Sequence, residues 1–203
     1  MNARSNAADL SLYAAVLAAG RSHRFGSTKQ VARFRGRPLI SHAMRAAEAA
    51  CGERTLLIAG SNWQRVHQAC QPLKGFLLLN DRYAEGMSAS IVAAVRMLPA
   101  TADGILVLLG DQPLVDANDL KQLIETWSEH PTRIVCSQFA SRLTPPAIFP
   151  RPLFSELREL EGDQGAYPVI ARHIDETISV PNPHAEFDVD TPAVLEELNR
   201  RLD

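Results

Sequence analysis

The chain has 203 residues, 46% of them hydrophobic and 22% charged, which is ample for a buried core and excludes a disordered chain. The 21 Lys and Arg nearly cancel the 23 Asp and Glu, leaving a formal net charge of -2 that argues against a nucleic-acid partner. Cys51, Cys70 and Cys136 are widely spaced and form no Cys-x-x-Cys pair, so neither a disulfide framework nor a zinc knuckle is expected and a reducing cytoplasm fits best. No apolar run reaches the roughly 18 residues of a membrane span, so no membrane association is expected. With no repeat and no Gly/Ser-rich linker, the expectation is a single domain over 1–203, residues 1–11 forming a flexible N-terminal extension.

Apolar runs predict strands at Tyr13–Ala18, Arg54–Ala59, Gly75–Leu79, Gly104–Leu109 and Arg133–Ser137. Helix-like stretches connect them at Pro38–Ala50, Asn62–Cys70, Met87–Leu98 and Asn118–Ser128, the second capped by Ser61 with Gln64 three residues on. Alternation of this kind predicts an α/β layered fold with a mostly parallel sheet. After Ser137 the rhythm breaks at Thr144, Pro145 and Pro146, ahead of a short strand at Ala147–Phe149. A final helix begins where Thr191 can cap and Pro192 can take the first helical position. Ligands of open α/β sheets bind beyond the carboxyl ends of the strands, which directs attention to the loops after Ala18, after Leu109 and around Asp188.

The first loop, LAAGRSHRFGSTKQ, carries Leu17, Ala18, Ala19, Gly20, Arg21, Ser22, Arg24, Gly26 and Lys29 directly behind an apolar strand. Glycines let the backbone approach a polyphosphate, and Arg24 and Lys29 supply positive charge. Between Leu10 and Ala47 there is no Asp or Glu, while Arg21, Arg24, Lys29, Arg33, Arg35, Arg37 and Arg45 all fall there. The bland alternative is a solvated arginine-rich loop. The spacing matches neither a GTPase P-loop nor a GxGxxG dinucleotide turn.

A second signal is LVLLGDQPLV, which places Gly110 and Asp111 at a strand end, where one carboxylate can reach a magnesium ion that keeps several waters and takes substrate phosphates; an Asx turn before proline is the plain alternative. In DVDTP, Asp188 and Asp190 share a side if the segment is extended, although acids there also suit a helix N-terminus. Two further turns have the look of substrate contacts: Asn80 to Ser90, with Gly86, Met87 and Ser88 opening a helix, and Gly162–Gly165, with Asp163 and Gln164. No histidine has HExxH spacing and no serine sits in a GxSxG elbow, so zinc and serine hydrolysis are disfavoured, and His42 and His67 read as ordinary helix residues.

Taken in order, LAAGRSHRFGSTKQ, GRPLI, NDRYAEGMSAS, GDQP, GDQG and DVDTP resemble the MobA-like nucleotidyltransferase family over about Ala15 to Leu198, most like its molybdenum cofactor cytidylyltransferase branch. The resemblance implies a Rossmann-like three-layer sandwich of the nucleotide-diphospho-sugar transferase type that condenses a nucleoside triphosphate with a phosphorylated acceptor and releases pyrophosphate. Carried over by motif, Ala18, Ala19, Gly20 and Arg24 line the nucleotide, Lys29 meets its phosphates, Asp111 and Asp190 hold Mg2+, and Asn80, Gly86 and Ser88 match a base- and ribose-side segment. On the same basis Lys29, Arg24 and Asp111 are the candidate catalytic residues, while Asp163, Gln164, Gly165 and Asp188 lie on the acceptor side. The Ala18-Ala19-Gly20 form, where guanylyl relatives usually carry a central glycine, resembles the cytidine-using branch. Tyr167 stands where the family has a basic residue, and Phe25 where methionine is common.

The expected reaction is therefore attack of the terminal phosphate of molybdopterin on the α-phosphorus of CTP, driven mainly by positioning and electrostatics. A molybdenum hydroxylase or its chaperone is the expected recipient. Two competitors remain open: the same chemistry with GTP or with another phosphorylated acceptor, and a non-catalytic module that binds nucleotide or finished cofactor.

Overall fold

The computed structural model describes residues 10–20, 22–60 and 62–202. Residues 1–9 of the expected N-terminal extension, Arg21 as an expected nucleotide contact and Ser61 as an expected helix cap lie outside them.

Seven strands form one sheet. In chain order they are β1 (Leu12–Ala18), β4 (Thr55–Ala59), β5 (Phe76–Leu79), β6 (Gly104–Leu109), β7 (Val135–Phe139), β8 (Arg142–Pro150) and β9 (Ile178–Pro181), and their spatial order is β5-β4-β1-β6-β8-β7-β9. Pairings β5/β4, β4/β1, β1/β6 and β7/β9 are parallel, whereas β8 runs antiparallel between β6 and β7. The remaining strands, β2 (Arg33–Phe34) and β3 (Arg37–Pro38), make a separate hairpin whose turn has positive φ at Arg35 (46°) and Gly36 (75°), as a type I′ turn requires.

Strand alternation divides the core between the two faces of the sheet. Along β1, Ala14, Val16 and Ala18 face a cluster that includes Ile40, Met44 and Ala47 of α1 (Leu39–Cys51), Val66 of α2 (Trp63–Ala69) and Leu120, Leu123 and Trp127 of α4 (Ala117–Glu129). Ala15 and Leu17 face the other cluster, with Ile91 and Val95 of α3 (Met87–Met97), Phe154 and Leu157 of α5 (Phe154–Arg158) and Val169 and Ile170 of α6 (Tyr167–Arg172). The outcome is helices on both sides of a mostly parallel sheet, the three-layer architecture expected.

A third, smaller cluster lies apart from both faces. Phe34 and Leu39 pack there with Val189, Leu195 and Leu198, so α7 (Pro192–Leu202) is fastened to the hairpin that follows the first loop. Thr191 caps α7, its Oγ1 accepting from Val194 N at 3.3 Å, and Pro192 is the first helical residue.

Predicted elements agree with these to within two residues at most ends. The exception is the third quarter of the chain, where the short strand expected at Ala147–Phe149 is the end of the nine-residue β8. Pro145 and Pro146 sit inside that strand, at the register shift opposite Cys136 and Ser137 of β7, where the ladder between β7 and β8 is interrupted and a missing N–H leaves no bond unmade. All three cysteines are buried free thiols, pushed up by burial to about 11 for Cys51 and about 12 for Cys70 and Cys136, which keeps them protonated at neutral pH. Among the described residues no helix is long and apolar enough to cross a membrane.

Candidate active site

Strands β4 and β5 follow β1 to one side of the sheet and β6 lies on its other side, so the topological switch falls between β1 and β6. A cleft of about 600 Å³ opens at their carboxyl ends. Its floor is Leu17, Ala19 and Gly20 from β1 and its loop, with Leu109, Gly110 and Asp111 from β6. Gly110 permits the two strand ends to meet: its N–H donates to Leu17 O at 3.0 Å, and a Cβ there would lie 2.9 Å from that oxygen and 2.7 Å from Ile40 Cδ1.

On one wall Lys29, at the start of a single 3-10 turn (Lys29–Val31), places Nζ 2.6 Å from Asp111 Oδ2 and 3.1 Å from Asp190 Oδ1. Arg24, in the turn His23–Phe25, reaches the other oxygen of Asp190 at 3.0 Å with an exposed side chain. Lys29 is only 12% exposed. Burial works against its charge, yet the carboxylates of Asp111 and Asp190 outweigh that penalty and hold the ammonium above its ordinary range. Asp111 is anchored through its backbone, its carbonyl accepting from Val189 N at 3.0 Å, and this bond ties the β6 end to the segment that carries Asp190.

One oxygen of this cluster is unsatisfied. Asp111 Oδ1 is buried and makes no hydrogen bond, a costly state for a carboxylate and one that a cation relieves. Among the described residues no group of three His, Cys, Asp or Glu could hold a metal ion. A divalent ion at Asp111 and Asp190 would thus have to take its remaining ligands from water and substrate phosphates, a coordination habit magnesium has. Asp188 keeps an open face to solvent, yet crowding by surrounding protein and by Asp111 pushes its carboxyl up to about 6, against a hydrogen bond from Gln112 that lowers it.

The opposite wall is built from two segments that clasp each other. Met87 and Gly86 open α3, and Asp163 Oδ1 accepts from Met87 N at 3.0 Å, capping that helix from a distant part of the chain. Ser88 N donates to Gly162 O at 3.2 Å and Ser88 Oγ to Gly165 O at 3.3 Å. Tyr83, Ala84, Glu85, Ser90 and Gly162 complete the lining.

Of the residues singled out in the sequence, Leu17, Ala19, Gly20, Ser22, Arg24, Lys29, Gly86, Met87, Gly110, Asp111, Asp163 and Asp190 line this one cleft. Ala18, Asn80 and Ser88 are buried behind it. Asn80 Nδ2 donates to Ser90 Oγ at 3.1 Å and Ser88 holds the clasp, so these two act on the lining from the second layer. Gln164, Gly165 and Asp188 are not part of the lining, and the carboxylate of Asp163 is engaged by Met87 N. Ser90 and Gly162, at the edges of the two turns read as substrate contacts, also line the cleft, whereas Gln30, Leu109 and the Tyr83, Ala84 and Glu85 within the first of those turns were not singled out.

Fold and cleft together define a nucleotide-handling α/β protein, and comparison with known proteins gives the family. Residues 14–177 match the MobA-like NTP transferase domain, and the chain belongs to that family. Asp190 lies beyond the matched stretch. The purine catabolism protein PucB of Bacillus subtilis is 30% identical over 158 residues, 74% of this chain and 76% of that protein. The 8-amino-3,8-dideoxy-manno-octulosonate cytidylyltransferase of Shewanella woodyi is 30% identical over 113 residues, 53% of this chain but only 46% of that enzyme. Among solved structures, Rv0371c from Mycobacterium tuberculosis H37Rv superposes with a TM-score of 0.79 at 26% identity, covering 94% of this chain and 98% of that one. A second Rv0371c structure, a complex with manganese, gives a TM-score of 0.76 at 24% identity, covering 94% and 98%. The protein is a nucleotidyltransferase of the MobA-like and cytidylyltransferase superfamily.

Proposed function

We propose that this protein transfers CMP from CTP to the terminal phosphate of molybdopterin, with Mg2+ as cofactor and release of pyrophosphate, for delivery to a molybdenum hydroxylase or its chaperone. The observation that carries the reading is the convergence of Lys29, Asp111 and Asp190 at one wall of the cleft, with Asp111 Oδ1 buried and unpartnered. The manganese complex of the structurally similar Rv0371c supports a divalent ion, and the cytidylyltransferase relative supports CTP. Ala19, which lines the cleft at the end of β1, adds a methyl group where guanylyl relatives usually have glycine, and so favours the smaller base. The acceptor rests on the MobA-like resemblance.

Asp111 and Asp190 would hold the ion, which when bound neutralises phosphate charge and polarises the α-phosphoryl group. The protein's own work is positional. The Gly20 region and Ser22 shape the triphosphate's seat, and Arg24 and Lys29 exchange their carboxylate partners for phosphate oxygens. As the bond to the leaving group lengthens, the charge on pyrophosphate meets these two cations, and no covalent intermediate is required. The wall formed by Gly86, Met87 and Gly162 fixes the far side of the cleft and so the approach line of the acceptor phosphate.

The test is pyrophosphate release from purified protein supplied with MgCl2, each of CTP and GTP, and molybdopterin or another phosphorylated acceptor. Turnover is expected with CTP and molybdopterin. Preference for GTP, or turnover with a different acceptor alone, would correct the substrate. Tight nucleotide binding with no pyrophosphate from any pair would mark a carrier and overturn the enzymatic reading.

A further inference from the structure

Gln30 has no formal charge and follows a lysine that draws attention away from it, yet it is 5% exposed and its amide is almost fully used. Nε2 donates to Ala18 O at 3.3 Å and to Gly20 O at 3.2 Å, and Oε1 accepts from Ser22 Oγ at 3.2 Å. Ser22 Oγ in turn accepts from Lys29 N at 3.3 Å. Because Nε2 faces two carbonyl oxygens, the orientation of the amide is fixed by its partners. These four bonds tie Ala18 and Gly20, at the end of β1, through Gln30 to Ser22 and Lys29.

We propose that Gln30 is a positioning residue that pre-forms the triphosphate seat by holding the Ala18 and Gly20 carbonyls inward and Ser22 against Lys29. The inference rests on the reading of this cleft as a nucleotide site. Its physical basis is twofold. A peptide unit sets its C=O and N–H on opposite sides, so drawing the Ala18 carbonyl toward Gln30 turns the Ala19 N–H away from it. Carbonyl oxygens left loose would present negative charge to the phosphates, and a donor that occupies them removes that repulsion before the ligand arrives. Ser22 adopts a positive φ of 53° without being glycine, a strained state that persists only where neighbours over-determine it, and its hydroxyl bonds to Gln30 and Lys29 supply that constraint. A loop held in its bound form binds its ligand without the loss of affinity that a fractional population imposes.

Gln30→Leu keeps the volume and removes every bond, leaving Ala18 O, Gly20 O and Ser22 Oγ without this partner. CTP with MgCl2 is expected to bind this variant about tenfold more weakly by calorimetry, as a loop populated about one-tenth of the time requires. In steady state the KM for CTP rises by a similar factor, while kcat at saturating CTP and the KM for the acceptor stay within about threefold of wild type, a split that general loss of structure does not produce. Ser22→Ala removes one arm of this linkage and is expected to weaken CTP binding about threefold, with the double variant less than additive because both act on one network. Circular dichroism identifies a variant that fails to fold, and Ser22→Ala then decides the matter. Unchanged CTP affinity in folded Gln30→Leu or in Ser22→Ala, or strict additivity of the two, would overturn the inference while leaving the nucleotide site intact. Absence of CTP and GTP binding by the wild-type chain would overturn the site reading and this inference with it.

Discussion

Lys29 Nζ stands 2.6 Å from Asp111 Oδ2 and bridges to Asp190, so a lysine ammonium occupies ground that the proposed divalent ion would claim. Only with Arg24 on the second oxygen of Asp190 does the positive charge match that of the two acids before any ligand arrives, and a metal entering alone must displace the ammonium from both. When a triphosphate enters, its oxygens offer Lys29 and Arg24 new partners and release the acids for the ion. Metal and nucleotide should accordingly bind with positive coupling, each raising the affinity for the other by the same factor.

Lys29→Met tests this directly. With the ammonium removed, Mn2+ affinity of the nucleotide-free protein is expected to rise at least about tenfold by electron paramagnetic resonance titration, because an ammonium within hydrogen-bond reach of both acids no longer competes with the ion for them. Turnover is expected to fall by about two orders of magnitude through loss of a phosphate-stabilising cation. Metal binding that is unchanged or weaker would contradict the argument.

Asp111→Asn retains the shape of the side chain and removes its charge. Pyrophosphate release is expected to drop about 10²- to 10³-fold while the circular dichroism spectrum keeps its α/β form. Full turnover would remove Asp111 from the metal site, and collapse of the fold would recast it as structural.

Gly86 and Gly162 meet at the clasp, and the two should respond differently to alanine. Gly86 has φ 114° and a Cβ there would lie 2.3 Å from Gly162 O, so Gly86→Ala combines strain with a backbone clash and is expected to cost about 3 kcal/mol. Gly162 has φ 71° with open space around its Cβ direction, and Gly162→Ala is expected to cost about 1 kcal/mol. Denaturant unfolding of the pair reads the difference, and equal losses would mean that the clasp is not under close contact.

His42 of α1 is half-buried against Phe34, with ring centroids 5.2 Å apart and Nε2 3.1 Å from Phe34 O. Burial lowers its pKa below the ordinary 6.5; the bond to Phe34 O opposes this, and Arg37, Arg45 and Arg35 add to the lowering. The unfolded chain then binds the proton more readily. The contribution to stability is present above pH 6.5 and is lost as pH falls from there through the folded value. His42→Leu should flatten that part of the profile, read as melting temperature from about pH 7 to pH 5, the range in which histidine titrates. A slope identical to wild type would show that other groups set it.

Ala19→Gly removes the methyl group from the floor of the cleft. If that methyl excludes the larger base, the ratio of kcat/KM for GTP over CTP should rise about tenfold, within the span that one methylene's worth of pocket contact allows. An unaltered ratio would place base selection elsewhere in the lining.

Much of this architecture could be read from residue order. The buried strands β1, β4 and β6 and the more exposed edge strand β5 are all continuous apolar runs, so they are legible to within a residue, whereas their spatial order is not. β8 is legible only at its end, because Pro145 and Pro146 read as a break until their place as the unpaired residues of a register shift is visible. β9, α5 and α6 are too short for a period to show. At the site, Lys29 and Asp111 stand out because charge behind an apolar strand is conspicuous. Gln30 does not, since its value lies in carbonyls that converge only once the loop has curled. Asp163 was legible as a polar turn residue, but its use as a cap for α3 depends on a contact 76 positions away.

The small cluster of Phe34, Leu39, Val189, Leu195 and Leu198 gives the two acids different foundations. Asp111 stands on the sheet, whereas Asp190 is carried by a minor core that also braces the hairpin after the first loop. Fraying of α7 would thus disassemble the proposed ion's seat while both large cores stay closed, and amide exchange along 187–198 would run ahead of exchange in the strands. Catalytic competence in such a molecule would then be lost before global stability is.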